Sequence, residues 1–179
     1  MLINYAAFKS GDNFQNLLDK VFISKAKIQN PAYFKVMHSK SVQGKYKVDE
    51  KNDGAIRYSF VASRYDYLRI AKAMLDDWQN DTCEGKYLKD IFENRIDKDT
   101  KRIEALGGTT QWPYARGYAG QFQTHYTGIN KKRAVMGMHG YGGQHVVIDF
   151  EKSRIVVTNS IHENFNFKKI VYKPFKKGK

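Results

Sequence analysis
Four glycines fall within the eight residues Gly137-Met138-His139-Gly140-Tyr141-Gly142-Gly143-Gln144, directly ahead of the apolar run His145-Val146-Val147-Ile148-Asp149-Phe150. Glycine at that density beside a strand marks backbone that bends sharply or approaches something closely. The run therefore joins two strands. A charged turn, Glu151-Lys152-Ser153, and a further β-branched stretch, Arg154-Ile155-Val156-Val157-Thr158-Asn159, follow at once. Links this short leave antiparallel pairing as the only way to connect neighbouring strands. The spacing predicts a meander, with strand character over 118–126, 132–138, 143–150 and 154–160.

Upstream the periodicity changes. Phe14, Leu17, Leu18, Val21 and Phe22 recur at three- and four-residue steps, a helical stripe that Asn30-Pro31 stops. Residues 38–55 are polar and Lys-rich, with Gly44 and Asn52-Asp53-Gly54 as turn signals, and read as a surface excursion. Ser63 with Asp66 forms a capping pair for a helix. Leu68, Ala71, Leu75 and Trp78 make its apolar face; Arg69, Lys72, Asp76 and Asp77 make its polar one. A shorter helix is expected over 86–95, burying Leu88, Ile91 and Phe92. An irregular connector, Gly107-Gly108-Thr109-Thr110 with Trp112-Pro113, leads into the strands. A last amphipathic helix over 163–175 is expected to pack on the sheet through Phe165, Ile170 and Val171. The expectation is one α/β domain, itself partial. It has a helical and loop region at 1–53, a helical region at 54–116, and antiparallel strands with a C-terminal flanking helix at 117–179.

At 179 residues and 41% hydrophobic, the chain has the material for one core. Its net charge of +13 admits nucleic acid, an anionic surface or acidic substrates as partners. Much of the excess is terminal, in Lys168, Lys169, Lys173, Lys176, Lys177 and Lys179. The lone Cys83 excludes an internal disulfide framework and a cysteine-based metal site. No stretch approaches the roughly 20 apolar residues of a membrane span. The start, Met1-Leu2-Ile3-Asn4-Tyr5, lacks the pattern of a signal peptide, so the chain is expected to stay where it is made.

Three segments, in order, resemble the C-terminal half of β-lactamase-related serine hydrolases, the family of class C β-lactamases, penicillin-binding DD-peptidases and related esterases. Arg64-Tyr65-Asp66-Tyr67-Leu68-Arg69-Ile70-Ala71-Lys72-Ala73-Met74-Leu75 is similar to a family helix that begins with Asp after a small-residue turn. Gly117-Tyr118-Ala119-Gly120-Gln121-Phe122 is similar to the family's strand-opening Gly-Tyr-Gly. Residues 136–159 resemble its glycine-rich active-site strand and closing hairpin. The resemblance covers roughly residues 54–175. It implies a transpeptidase-like fold, incomplete in this chain, and hydrolysis of a small acyl, amide or ester substrate without cofactor or metal.

The family's parts map unevenly. The Lys/His-x-Gly strand falls on Met138-His139-Gly140, followed by Gly142, Gly143 and Gln144, so these six residues are the implied substrate pocket. Met138 stands where the family has a cation, unless His139 supplies the charge. The alternative is a glycine-bent edge strand with an incidental histidine. The Tyr-x-Asn/Ser element falls on Phe8-Lys9-Ser10-Gly11-Asp12-Asn13, where Phe8 has no hydroxyl to relay a proton. A simple helix-capping loop accounts for it equally well. Ser-x-x-Lys occurs as Ser24-Lys25-Ala26-Lys27, and on a helix Ser24 and Lys27 would share a face as nucleophile and base. It follows the Phe8 element instead of preceding it, and such a pattern arises readily in a Lys-rich chain. The implied protein is the back half of a hydrolase without its catalytic front. It would be inactive alone, self-associating at an open sheet edge or completed by a separate N-terminal half. Family relatives are usually exported.

Two other constellations stand beside it. His38, His125, His139, His145 and His162 show no metal-ligand spacing. Nucleic-acid binding is the rival class: Lys131-Lys132-Arg133 and the terminal lysines, interleaved with Tyr172 and Phe175, suit phosphates and stacked bases. No recognition helix or RNA-binding strand motif accompanies them.

Overall fold
A computed structural model describes residues 6, 8–37, 57–98, 115–140, 143–159, 169–170 and 173–176. The chain divides into two compact units, 1–66 and 67–179.

In the first unit a 3-10 turn, Gly11–Asn13, opens helix α1 (Phe14–Asp19), which widens into π-helical turns over Lys20–Lys25. Lys27 then adopts φ +56, which ends the helix and turns the chain back. Strand β1 (Tyr33–Met37) pairs antiparallel with β2 (Arg57–Val61), Tyr33 opposite Val61. This hairpin is absent from the sequence reading. Phe14, Phe22, Phe34 and Phe60 join helix to hairpin through ring pairs 5.1 to 6.0 Å apart, so only part of the expected stripe meets the hairpin; Leu17 and Val21 are 44% and 46% exposed.

Helix α2 (Arg64–Gln79) starts as predicted: the Asp66 N–H donates to Ser63 Oγ at 3.1 Å. The Asp66 carboxylate, fully buried, does more than cap. It accepts from Ser63 Oγ at 2.7 Å, from the Gln29 N–H at 2.8 Å, and from the Asn30 N–H and Nδ2 at 3.2 and 2.8 Å. Burial alone would raise its pKa; these hydrogen bonds outweigh burial and hold it well below the usual carboxylate range.

In the second unit, the rest of α2 and helix α3 (Cys83–Glu93, capped by Thr82 Oγ1 accepting from the Gly85 N–H) cover one face of a six-stranded antiparallel sheet. Its strands are β3 (Ile96–Asp97), β4 (Ala115–Ala119), β5 (Phe122–Tyr126), β6 (Val135–Gly140), β7 (Gln144–Asp149) and β8 (Arg154–Asn159), and their order in the sheet is their order in the chain. Ala71, Leu75, Leu88 and Phe92 from the helices meet Phe122, Met136, Val146, Ile148 and Phe150 from the sheet side. Trp78 packs on Phe150 at 4.5 Å. The expected helix face is rotated. Leu68 is 40% exposed, Tyr67 and Met74 turn inward, and Asp77 is buried, taking a hydrogen bond from Thr82 Oγ1 at 2.8 Å.

The sheet corrects two further expectations. The single strand expected over 118–126 is a hairpin, because Gly120 and Gln121 both take positive φ (+52 and +73), the two-residue turn that suits strand twist. The C-terminal packing residue is Phe175, on a single helical turn α4 (Lys173–Lys176), at 2% exposure. Ile170, expected to pack, is 47% exposed; Phe165 and Val171 lie outside the described residues. Phe175 joins Ala115, Tyr126, Ile129, Val135 and Val147 on the sheet's second face. Adjacent residues thus serve opposite clusters, Val135 against Met136 and Val147 against Ile148, as the period of two requires.

Candidate functional site
The glycine-rich strand β6 pairs with β7 along its whole length, from Val135 opposite Asp149 to Gly140 opposite Gln144. That register places the implied pocket residues. Met138 lies opposite Val146 and packs against the helix-covered core. His139 lies opposite His145 on the other face, the two rings edge to face with centroids 4.5 Å apart. Gly140 is exposed at the strand's end, Gly143 is buried with φ +82, and Gly143 O accepts from Thr158 Oγ1 at 3.1 Å. Gly142 lies outside the described residues.

The second face gathers a polar cluster around His139. Tyr126 Oη lies 2.9 Å from His139 Nε2. The phenol reaches across β6 only because residue 137 is glycine. A Cβ there would stand 2.2 Å from Tyr126 Oη and 3.1 Å from His139 Nε2. Tyr126 faces this way because His125, at φ +51, breaks the alternation of β5, which otherwise sends Phe122 and Thr124 to the opposite face. Gln123, opposite Gly137 and Tyr118, accepts from Lys98 Nζ, which also lies 5.9 Å from the Tyr118 ring.

Burial sets the charge state of this cluster. It pushes His139 down to about 3, with His145 and Lys98 adding their repulsion, and His145 down to about 4. It raises the Tyr126 phenol well above its ordinary value and brings the Lys98 ammonium down to about 8. At neutral pH both imidazoles are therefore uncharged. His139 does not supply the cation that Met138 lacks. Lys98 is the cluster's cationic group, and nothing in its local sequence singled it out. The readable signal for Tyr126 was Gly137, two residues before His139 and so on the same face.

Compared with family models, curated proteins and solved structures, the chain matches none.

Ser24 and Lys27 belong to the first unit and both are exposed. Helical structure ends at Lys25 and Lys27 is left-handed, so the shared helical face expected of a nucleophile and its base is not formed. Phe8 is 80% exposed. Among the described residues no group of three or more His, Cys, Asp or Glu is placed to hold a metal, and no helix is long and apolar enough to cross a membrane. The basic run is partly spent within the fold: Lys131 pairs with Asp97 at 2.6 Å and Arg133 with the buried Asp149. Phe175, expected as a stacking ring, is core.

Proposed function
We propose that this chain is the C-terminal part of a β-lactamase-related serine hydrolase, incomplete as a transpeptidase-like fold, which contributes the glycine-rich pocket strand and no acylating serine. The supporting observation is the β6–β7–β8 hairpin series. A glycine-bearing strand, β6, ends in an exposed Gly140 and pairs along its whole length with β7, which pairs in turn with β8, and two helices lie on one face of the sheet. The departures fit the non-catalytic half of the reading. Met138 is packed apolar, His139 is neutral, and Ser24 and Lys27 share no helical face. The nucleophile then comes from residues outside this sequence, and the substrate is a small acyl, amide or ester compound lying along β6.

Two measurements test this. Intact-protein mass after incubation with a fluorophosphonate or a penicillin should show no adduct. Stoichiometric labelling abolished by Ser24→Ala would instead make the chain a complete hydrolase. Titration of a penicillin into the labelled protein should shift backbone amide resonances of residues 137–144 by nuclear magnetic resonance. If those resonances stay still at millimolar ligand, the strand is not a substrate pocket.

A further inference from the structure
The first unit holds a cavity of about 530 Å³, between the widened end of α1 and the segment leading into β1. Gln15, Asp19, Ile23, Asn30, Pro31 and Tyr33 line it, with Ile28 and Gln29. Its size is that of a small-molecule site, and π-helical widening of a helix is common where ligands bind. What distinguishes it is how few free hydrogen-bond donors its wall presents.

Nearly every donor along its wall is already used. Gln15 Nε2 donates to Asp19 Oδ1 at 2.8 Å and to Ala32 O at 3.0 Å, which consumes both its protons. Asn30 Nδ2 donates to Asp66 Oδ2 at 2.8 Å and to Ser63 Oγ at 3.4 Å. The backbone N–H groups of Gln29 and Asn30 are committed to Asp66, and that of Ile28 to Phe22 O at 3.2 Å. Pro31 has no N–H. Apart from the Tyr33 hydroxyl, which can donate or accept, the side-chain groups left to a ligand are acceptors: Gln15 Oε1, Asn30 Oδ1 and the second oxygen of the Asp19 carboxylate. Beside them the Tyr33 ring is 44% exposed, and an aromatic face attracts cations.

We infer that this cavity is a binding site for a small organic cation, a primary ammonium or guanidinium carried on a short apolar chain. The ammonium or guanidinium protons would meet the Asp19 carboxylate and the two amide oxygens, the charge would lie against Tyr33, and the apolar stem would lie along Ile23 and Ile28. The assignment is independent of the hydrolase reading. It runs against the chain's overall +13 charge, so attraction at the site is local and not a property of the whole surface.

Isothermal titration calorimetry of the full chain with butylamine and with butylguanidine tests it, beside pentan-1-ol and butyrate as neutral and anionic counterparts of similar size. Both cations should bind saturably with Kd near about 1 mM, and the alcohol and carboxylate should not. Asp19→Asn should weaken the cations at least about tenfold, as loss of a charge-assisted contact predicts. Tyr33→Leu, at a partly exposed ring, should weaken them severalfold while the melting curve is retained, which keeps the test open if Asp19→Asn does not fold. Binding of the alcohol or butyrate as tight as that of butylamine, no binding by any probe, or cation binding unchanged in a folded Asp19→Asn or Tyr33→Leu protein would each overturn the assignment.

Discussion

The two faces of the six-stranded sheet are drawn from the same strands, yet they are held together differently. The helix-covered face is mainly apolar, with the buried Thr124 beside Met136: Met136, Val146 and Ile148 meet the side chains of α2 and α3, and shape dominates the fit. The opposite face mixes an apolar patch under Phe175 with two neutral histidines, a phenol and a lysine. The first face depends on volume and is indifferent to pH. The second depends on protonation state and on one missing side chain, that of Gly137. A sheet can thus keep a stable scaffold on one side and place chemically addressable groups on the other, with strand alternation separating the two.

That contrast can be broken from either side. Met136→Ala, at a fully buried position of the helix-covered face, should cost about 4 kcal/mol of unfolding free energy, independent of pH between 5 and 8, by urea denaturation. Acid should strike only the other face. His139 and His145 have folded pKa values near 3 and 4, below the roughly 6.5 of the unfolded chain. Above pH 6.5 neither state gains a proton. As pH falls from there toward 4, the unfolded state binds protons that the native state refuses, and stability drops. The loss by pH 5 should be about 4 kcal/mol for the pair, and His145→Gln should remove about half of it. A flat profile from pH 7 to 5 would mean that these imidazoles are not buried neutral.

Smaller effects sharpen the picture. Gly137→Ala drives a methyl into Tyr126 Oη and should cost about 2 kcal/mol, less in a Tyr126→Phe background where no hydroxyl is displaced. Equal costs in both backgrounds would show that the phenol is not what fills the glycine's space. Tyr126→Phe by itself removes one hydrogen bond to His139 and should cost only about 1 kcal/mol in a thermal melt.

Much of this was legible because it is local. Ser63 and Asp66 announced the start of α2, apolar spacing announced α3, and the two apolar runs on either side of the charged turn Glu151-Lys152-Ser153 announced the last two strands. What escaped reading depends on contacts distant in sequence or on single backbone angles. The β1–β2 hairpin brackets a long polar stretch, so its two strands lie too far apart in sequence for the turn signals Gly44 and Asn52-Asp53-Gly54 to mark them as partners. Gln121 in a left-handed turn position looks like any strand residue, so two strands were read as one. His125 at φ +51 reverses which residues of β5 face which way, and with it Tyr126's place beside His139. Lys98 lies 25 residues from Gln123, too far for any pattern to link them. The apolar register of Met138 and the loss of a common helical face for Ser24 and Lys27 are likewise outcomes of folding that a motif cannot foresee.

The strand order of the large sheet also bears on how it comes to exist. Each strand after the first, β3, pairs with the one made just before it, and none is inserted between two others. Closure distances stay short, which favours rapid formation. Translation can lay the sheet down in a single direction, one rung after another, with β8 completing it and Phe175 sealing its second face last.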